Sequence, residues 1–241
     1  MRIFAVMHQF YFPDLSSSQL QLSEEESKHA VRVLRLQPGD EVELSDGRGT
    51  KARAVVADNH PKRCTLDVMS REVLPTGRNF TLHLAVAPTK NSDRTEWLVE
   101  KITELGIDAI TLLDCEHSER STFRLDRLEK LAVSAMKQSQ QAWMPVITGP
   151  VTFSQFLQEV PAGAQCFIAH CVSEAERIPL SKATKPGGDV VIFIGPEGDF
   201  SAAEIEAALK HGAKPVSLGN TRLRTETAAF AACAAVHFVN A

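Results

Sequence analysis

Two hydropathy rhythms divide the chain. Through residue 74, short runs with apolar residues at alternate positions are separated by turn residues, as in strands that face a core on one side. Glu41-Val42-Glu43-Leu44-Ser45 is one such run. Past the Asp46-Gly47-Arg48-Gly49 turn come Lys51-Ala52-Arg53-Ala54-Val55-Val56 and then Cys64-Thr65-Leu66-Asp67-Val68. A short helix is predicted after the acidic turn Ser23-Glu24-Glu25-Glu26, with His29, Arg32 and Arg35 spaced three apart on one face of its far end. Together these elements predict a small β-barrel over residues 1–74, and Pro75-Thr76-Gly77 reads as a linker.

From Phe80 the period lengthens. β-branched and apolar runs at 82–87, 109–113, 166–169, 190–194 and 215–218 alternate with segments of helical period. Asp93-x-x-Glu96 has capping-box form and opens a helix ended by Gly106; Ser201-x-x-Glu204 repeats the form and opens one that stops at Gly212. Over 125–139, Leu125, Leu128, Ala132, Ala135 and Met136 fall on one stripe. Strand–helix alternation of this length predicts an α/β fold over 78–241, a mainly parallel sheet covered by helices.

Composition changes this picture little. With 44% hydrophobic and 23% charged residues the chain reads as a soluble globular protein. Its net charge of −4 gives no global basic signal, so nucleic-acid binding would need local clustering of Lys and Arg. Five scattered cysteines without C-x-x-C, and eight histidines without H-E-x-x-H, predict no disulfide framework and no metal site, which fits a reducing cytoplasm. The opening apolar run is too short for a signal peptide, and the alanine-rich run at 227–239 is too short to span a membrane.

The chemistry concentrates in two glycine-containing segments. Ile194-Gly195-Pro196-Glu197-Gly198-Asp199-Phe200-Ser201 follows one predicted strand; Leu218-Gly219-Asn220-Thr221-Arg222-Leu223-Arg224-Thr225-Glu226-Thr227-Ala228 follows the next. Each then opens a helix, which puts both loops at the carboxyl ends of strands, where α/β sheets bind ligands. The spacing is neither a P-loop nor a dinucleotide fingerprint. It predicts a pocket that holds a flat heterocycle through main-chain groups.

These two motifs, joined to His29-Ala30-Val31-Arg32-Val33-Leu34-Arg35, resemble the 16S ribosomal RNA uracil-N3 methyltransferase family of the SPOUT superfamily. The resemblance covers nearly the whole chain. It implies an N-terminal PUA-like barrel for RNA, a trefoil-knotted SPOUT domain, a homodimer, S-adenosylmethionine as methyl donor, and 16S rRNA in the small ribosomal subunit as substrate. It also implies that Ile194, Gly195, Gly198, Leu218, Gly219 and Leu223 hold the adenosine part of the cofactor. It likewise implies Pro196, Glu197, Arg224, Thr225, Thr227 and Ala228 as cofactor-binding residues.

Arg224, in a loop before a capped helix, is neither core nor helix-face filler. Its expected role is to orient the uracil or stabilise its anion, since transfer to N3 requires loss of a proton; a permanently protonated arginine is a poor base. Thr225 is a possible N-cap. Glu226 reads equally as a carboxylate near the sulfonium or as a first-turn residue complementing the helix dipole. Arg120 is a second candidate at the site. His29, Arg32, Arg35 and Lys90 are the expected RNA contacts, although acidic and basic residues nearly balance over 1–75. Two departures from the family pattern stand out: Gln138-Ser139-Gln140-Gln141 where Q-S-G-R is usual, and Asp199 where a second glycine is frequent. A 2′-O-ribose RNA methyltransferase and a noncatalytic RNA-binding assembly factor remain as rival readings.

Overall fold

The computed structural model describes residues 7–75, 77–119, 124–171 and 177–241. It divides into two compact units, one formed by the chain up to Gly77 together with Met136–Met144, the other by Arg78–Ala135 with Pro145–Ala241.

The first unit is built on a five-stranded sheet. Its strands are β1 (Gln9–Tyr11), β2 (Gln19–Gln21), β3 (Glu41–Ser45), β4 (Thr50–Asp58) and β5 (Thr65–Val73), in the order β1-β3-β4-β5-β2. β1 runs parallel to β3 and the other pairs are antiparallel, giving a half-barrel. The alternation seen in the sequence sets the register: Val42 lies opposite Ala54 and Leu44 opposite Ala52, and all four are buried with Phe10, Leu20 and Leu66.

Helix α1 (Glu24–Lys28) starts at Ser23, whose side chain accepts from the Glu26 N–H at 3.2 Å, and three glutamates in its first turn complement the helix dipole. It then widens into a π-turn over His29–Val33, and Arg35 adopts a left-handed backbone with φ 58°. His29, Arg32 and Arg35 are all exposed, but they do not share one face of a continuous α-helix as their spacing suggests. The wider turn and the left-handed residue break the 3.6-residue period. Residues 136–144 complete the unit: Gln9 Nε2 donates to the Gln141 carbonyl at 2.7 Å, and Lys137 pairs with Glu26 at 2.5 Å.

The second unit carries a seven-stranded, wholly parallel sheet. β6 (Phe80–Val86), β7 (Ala109–Asp114), β8 (Val146–Thr152), β9 (Gln165–Ala169), β10 (Ile178–Pro179), β11 (Gly188–Ile194) and β12 (Lys214–Ser217) are ordered β10-β12-β9-β11-β6-β7-β8. β8 and β10 add to the five strands the pattern predicted. β8 escapes prediction because Gly149-Pro150 interrupts it, which an edge strand tolerates.

Along β11, Val191 and Phe193 enter a core that includes Phe153, Phe156 and Leu157 of α4 (Phe153–Glu159) and Ile205 and Ala208 of α6 (Ala202–Lys210). Alternation puts Val190 and Ile192 on the opposite face. There α7 (Thr225–Val239) packs on β6 and β11 and against α2 (Ser92–Leu105). Helix α3 (Leu125–Gln138) buries Leu128, Ala132, Ala135 and Met136 of the predicted stripe.

The caps show where local rules hold. Ser201 and Glu204 form the reciprocal capping box of α6. At α2 the cap is Asn91, which accepts from the Asp93 N–H at 2.9 Å, while Glu96 is drawn away to Arg127 at 2.7 Å. Among the described residues no helix is long and apolar enough to cross a membrane, and no group of His, Cys, Asp or Glu could hold a metal ion.

Candidate functional site

Three parallel strands end in one row. In the register of the sheet, Ala169 at the end of β9 lies beside Ile194 of β11 on one side and Val216 of β12 on the other. The loops that follow therefore leave the sheet together. They enclose a cavity of about 420 Å³, the size of a small-molecule site. This edge, at the carboxyl ends of parallel strands, is where the two glycine segments were expected to meet.

Of the expected cofactor residues, Ile194, Gly195, Pro196, Glu197, Leu218, Gly219, Leu223, Arg224, Thr225 and Ala228 line the cavity. Gly219 has φ 123°, a backbone conformation that side chains disfavour. Gly198, Thr227 and Glu226 are not among the lining residues. Gly198 instead packs on His117, whose Cβ would lie 3.1 Å from an added methyl. Arg120 lies outside the described residues. Lys90 is exposed; its ammonium pairs with Glu119 at 2.6 Å, which raises its pKa, and its backbone N–H donates to Glu197 at 3.1 Å.

Side-chain bonds fasten the loops to one another. Thr225 Oγ1 donates to the Gly195 carbonyl at 3.1 Å, joining the two glycine segments. The N-cap of α7 is Arg224, with no side-chain capping bond, so Thr225 serves as a tie between loops instead. Asp199 is a second tie. Its carboxylate accepts from the Cys171 N–H at 2.7 Å and from the Phe200 N–H at 2.8 Å, and its carbonyl meets His117 Nδ1 at 3.0 Å. Asp199 sits at φ 67° and Gln140 at φ 55°. The two positions where glycine was expected are thus both left-handed in this chain.

The structure adds residues that no local motif marks. Arg94 from the first turn of α2, and His170, Cys171 and Arg177 beyond β9, also line the cavity. His170 is 4% exposed and both its ring nitrogens are buried without a hydrogen-bond partner among the described residues. Burial lowers its pKa, which favours the neutral imidazole. Arg177 donates to the His170 carbonyl at 2.6 Å. Glu226 is 8% exposed; its Oε1 lies 3.7 Å from Arg94 Nε, and its Oε2 has no partner among the described residues.

The fold and its loop-enclosed pocket define an RNA methyltransferase: residues 76–237 match the family model described as an RNA methyltransferase domain, and residues 22–69 match that of an RNA methyltransferase PUA domain. The chain is 34% identical to the ribosomal RNA small subunit methyltransferase E of Synechocystis sp., over 86% of this chain and 68% of the relative. It belongs to the ribosomal RNA small subunit methyltransferase E family.

Solved structures agree. A protein from Porphyromonas gingivalis, described as a probable rRNA-methyltransferase, is 41% identical, with TM-score 0.92 over 97% of this chain and 98% of that one. The Neisseria gonorrhoeae ribosomal RNA small subunit methyltransferase E bound to S-adenosyl methionine is 26% identical, with TM-score 0.86 over the same shares.

Proposed function

We propose that this chain methylates N3 of a uridine in the 16S RNA of the small ribosomal subunit, with S-adenosylmethionine as donor. The reading is carried by the cavity at the ends of β9, β11 and β12, in a fold shared with a relative solved with that cofactor. The donor set suits the molecule. Main-chain edges of the two glycine loops can hold a heterocycle, and His170 on the cavity wall has both ring nitrogens buried without a hydrogen-bond partner among the described residues.

S-adenosylmethionine supplies an electrophilic methyl group on a sulfonium. The chain's own residues do the rest. Gly195, Leu218, Gly219 and Leu223 position the adenosine end. Arg224, exposed on the cavity wall, stabilises the pyrimidine anion left when N3 loses its proton. Its guanidinium stays protonated, so the proton goes elsewhere. His29, Arg32, Arg35 and Lys90 contact RNA phosphates in this reading, and Arg120 supports the site. A homodimer, trefoil-knotted threading and a cytoplasmic location belong to the same proposal.

The test is transfer from labelled S-adenosylmethionine to small subunits lacking their native methylations, with nucleoside identification. Label in N3-methyluridine is expected. Label in a 2′-O-methyl nucleoside, or none on subunits or free 16S RNA, would overturn the reading. Arg224→Ala should lower turnover by roughly a hundredfold while cofactor binding stays within a few-fold; an unchanged rate removes Arg224 from the chemistry.

A further inference from the structure

Of the two readings the sequence left for Glu226, the one near the sulfonium would put it on the cavity, yet it does not line the cavity. Arg94, which it pairs with, does. The carboxylate is nearly buried and poorly compensated: among the described residues one oxygen has no partner, and the other has only Arg94 at 3.7 Å, too long for a hydrogen bond. Burying a carboxylate this way is costly. The visible consequence is a guanidinium tethered at its Nε edge beside the pocket. Its two terminal nitrogens are then available as a fork for an anionic oxygen pair.

Placement narrows the choice of anion. Arg94 is half-buried, whereas Arg222 and Arg224 on the same cavity are exposed. A polynucleotide phosphate meets the exposed rim more readily than a recessed cation. Next to Arg94, the first turn of the 15-residue α7 begins at Arg224 with no side-chain cap, adding positive potential. A small carboxylate fits this corner.

Resting on the cofactor reading above, we propose that Arg94 receives the carboxylate of the cofactor's methionyl end and that Glu226 is the positioning residue that holds Arg94 there. No bond is made or broken at either residue.

The experiment compares two probes by calorimetry on the full-length protein. S-adenosylhomocysteine carries the amino-acid end; methylthioadenosine lacks it. Arg94→Ala should weaken S-adenosylhomocysteine by about tenfold to a hundredfold, the usual worth of a hydrogen-bonded charge, and leave methylthioadenosine within twofold. Arg94→Lys should recover part of the loss. Glu226→Gln should weaken S-adenosylhomocysteine alone, by a smaller factor, with a thermal melt confirming the fold.

Equal losses for both probes would make Arg94 a pocket-shaping residue and overturn the proposal. So would unchanged binding of both, including the case in which only the Michaelis constant for subunits rises and Arg94 faces RNA. Wild-type protein that binds neither probe would instead overturn the cofactor reading itself, a result distinct from either.

Discussion

Replacing Asp199 should loosen the pocket at the seam between two of its loops. The carboxylate holds the Cys171 N–H, 28 residues away in sequence, and the adjacent Phe200 N–H. Hydrogen bonds to a charged acceptor contribute about 1.5–3 kcal/mol each. Asp199 is half-buried, so about 1–1.5 kcal/mol apiece is the reasonable figure. Against this stands the left-handed backbone, which costs a side chain roughly 1–2 kcal/mol and an aspartate somewhat less. Asp199→Ala loses both bonds and keeps the backbone strain, so it should destabilise by about 2–4 kcal/mol. Asp199→Gly loses the same bonds but sheds the strain, so it should fall about 1 kcal/mol short of alanine. The expected order is Asp, Gly, Ala.

The assays are denaturant melts and calorimetric titration with S-adenosylhomocysteine, whose affinity should drop in both variants as the loop at Cys171 is released. A glycine variant more stable than wild type would show that strain outweighs the bonds. An alanine variant that melts and binds like wild type would refute the clasp altogether.

The remaining predictions concern pH and RNA. His83 bonds Thr111 Oγ1 at 2.8 Å and packs edge-on to Phe156, and burial pulls its pKa from 6.5 down to about 4. The folded value is below the unfolded one, so the neutral ring's contribution is complete above about pH 6.5 and is lost as the pH falls toward 4. The loss is at most about 3 kcal/mol, and His83→Gln should flatten that part of the acid limb in denaturant melts; an unchanged acid slope would exclude His83 as the source. Arg32→Ala with Arg35→Ala should weaken binding to small-subunit RNA and reduce its salt dependence, read by filter binding across a salt series. Equal affinity at all salt concentrations would return both residues to a solvated surface.

Much of the protein was legible along the chain because its signals are local. Alternation marked β3, β4 and the start of β5. Apolar runs marked β6, β7, β9, β11 and β12, and Ser201 with Glu204 marked the start of α6. The glycine loops announced a pocket, since glycines at strand ends followed by helix starts report on a few consecutive residues. Local rules misled where a competing partner stood elsewhere. Glu96 has capping-box spacing but binds Arg127, and the spacing of His29, Arg32 and Arg35 assumed a helix that the π-turn ends.

What only the tertiary structure decided is which distant pieces meet. No periodicity places β11 between β6 and β9, puts Ala169, Ile194 and Val216 in one row, or brings Arg94 to the pocket and pairs it with Glu226. Asp199 reads in sequence as a charge where glycine was expected; in the fold it is the tie to Cys171. The division has a physical cause. Propensities, caps and alternation act over a few residues, so they are written in order along the chain. Strand order, burial and long-range pairing are set by packing among elements far apart in sequence, and they exist only once the chain has folded.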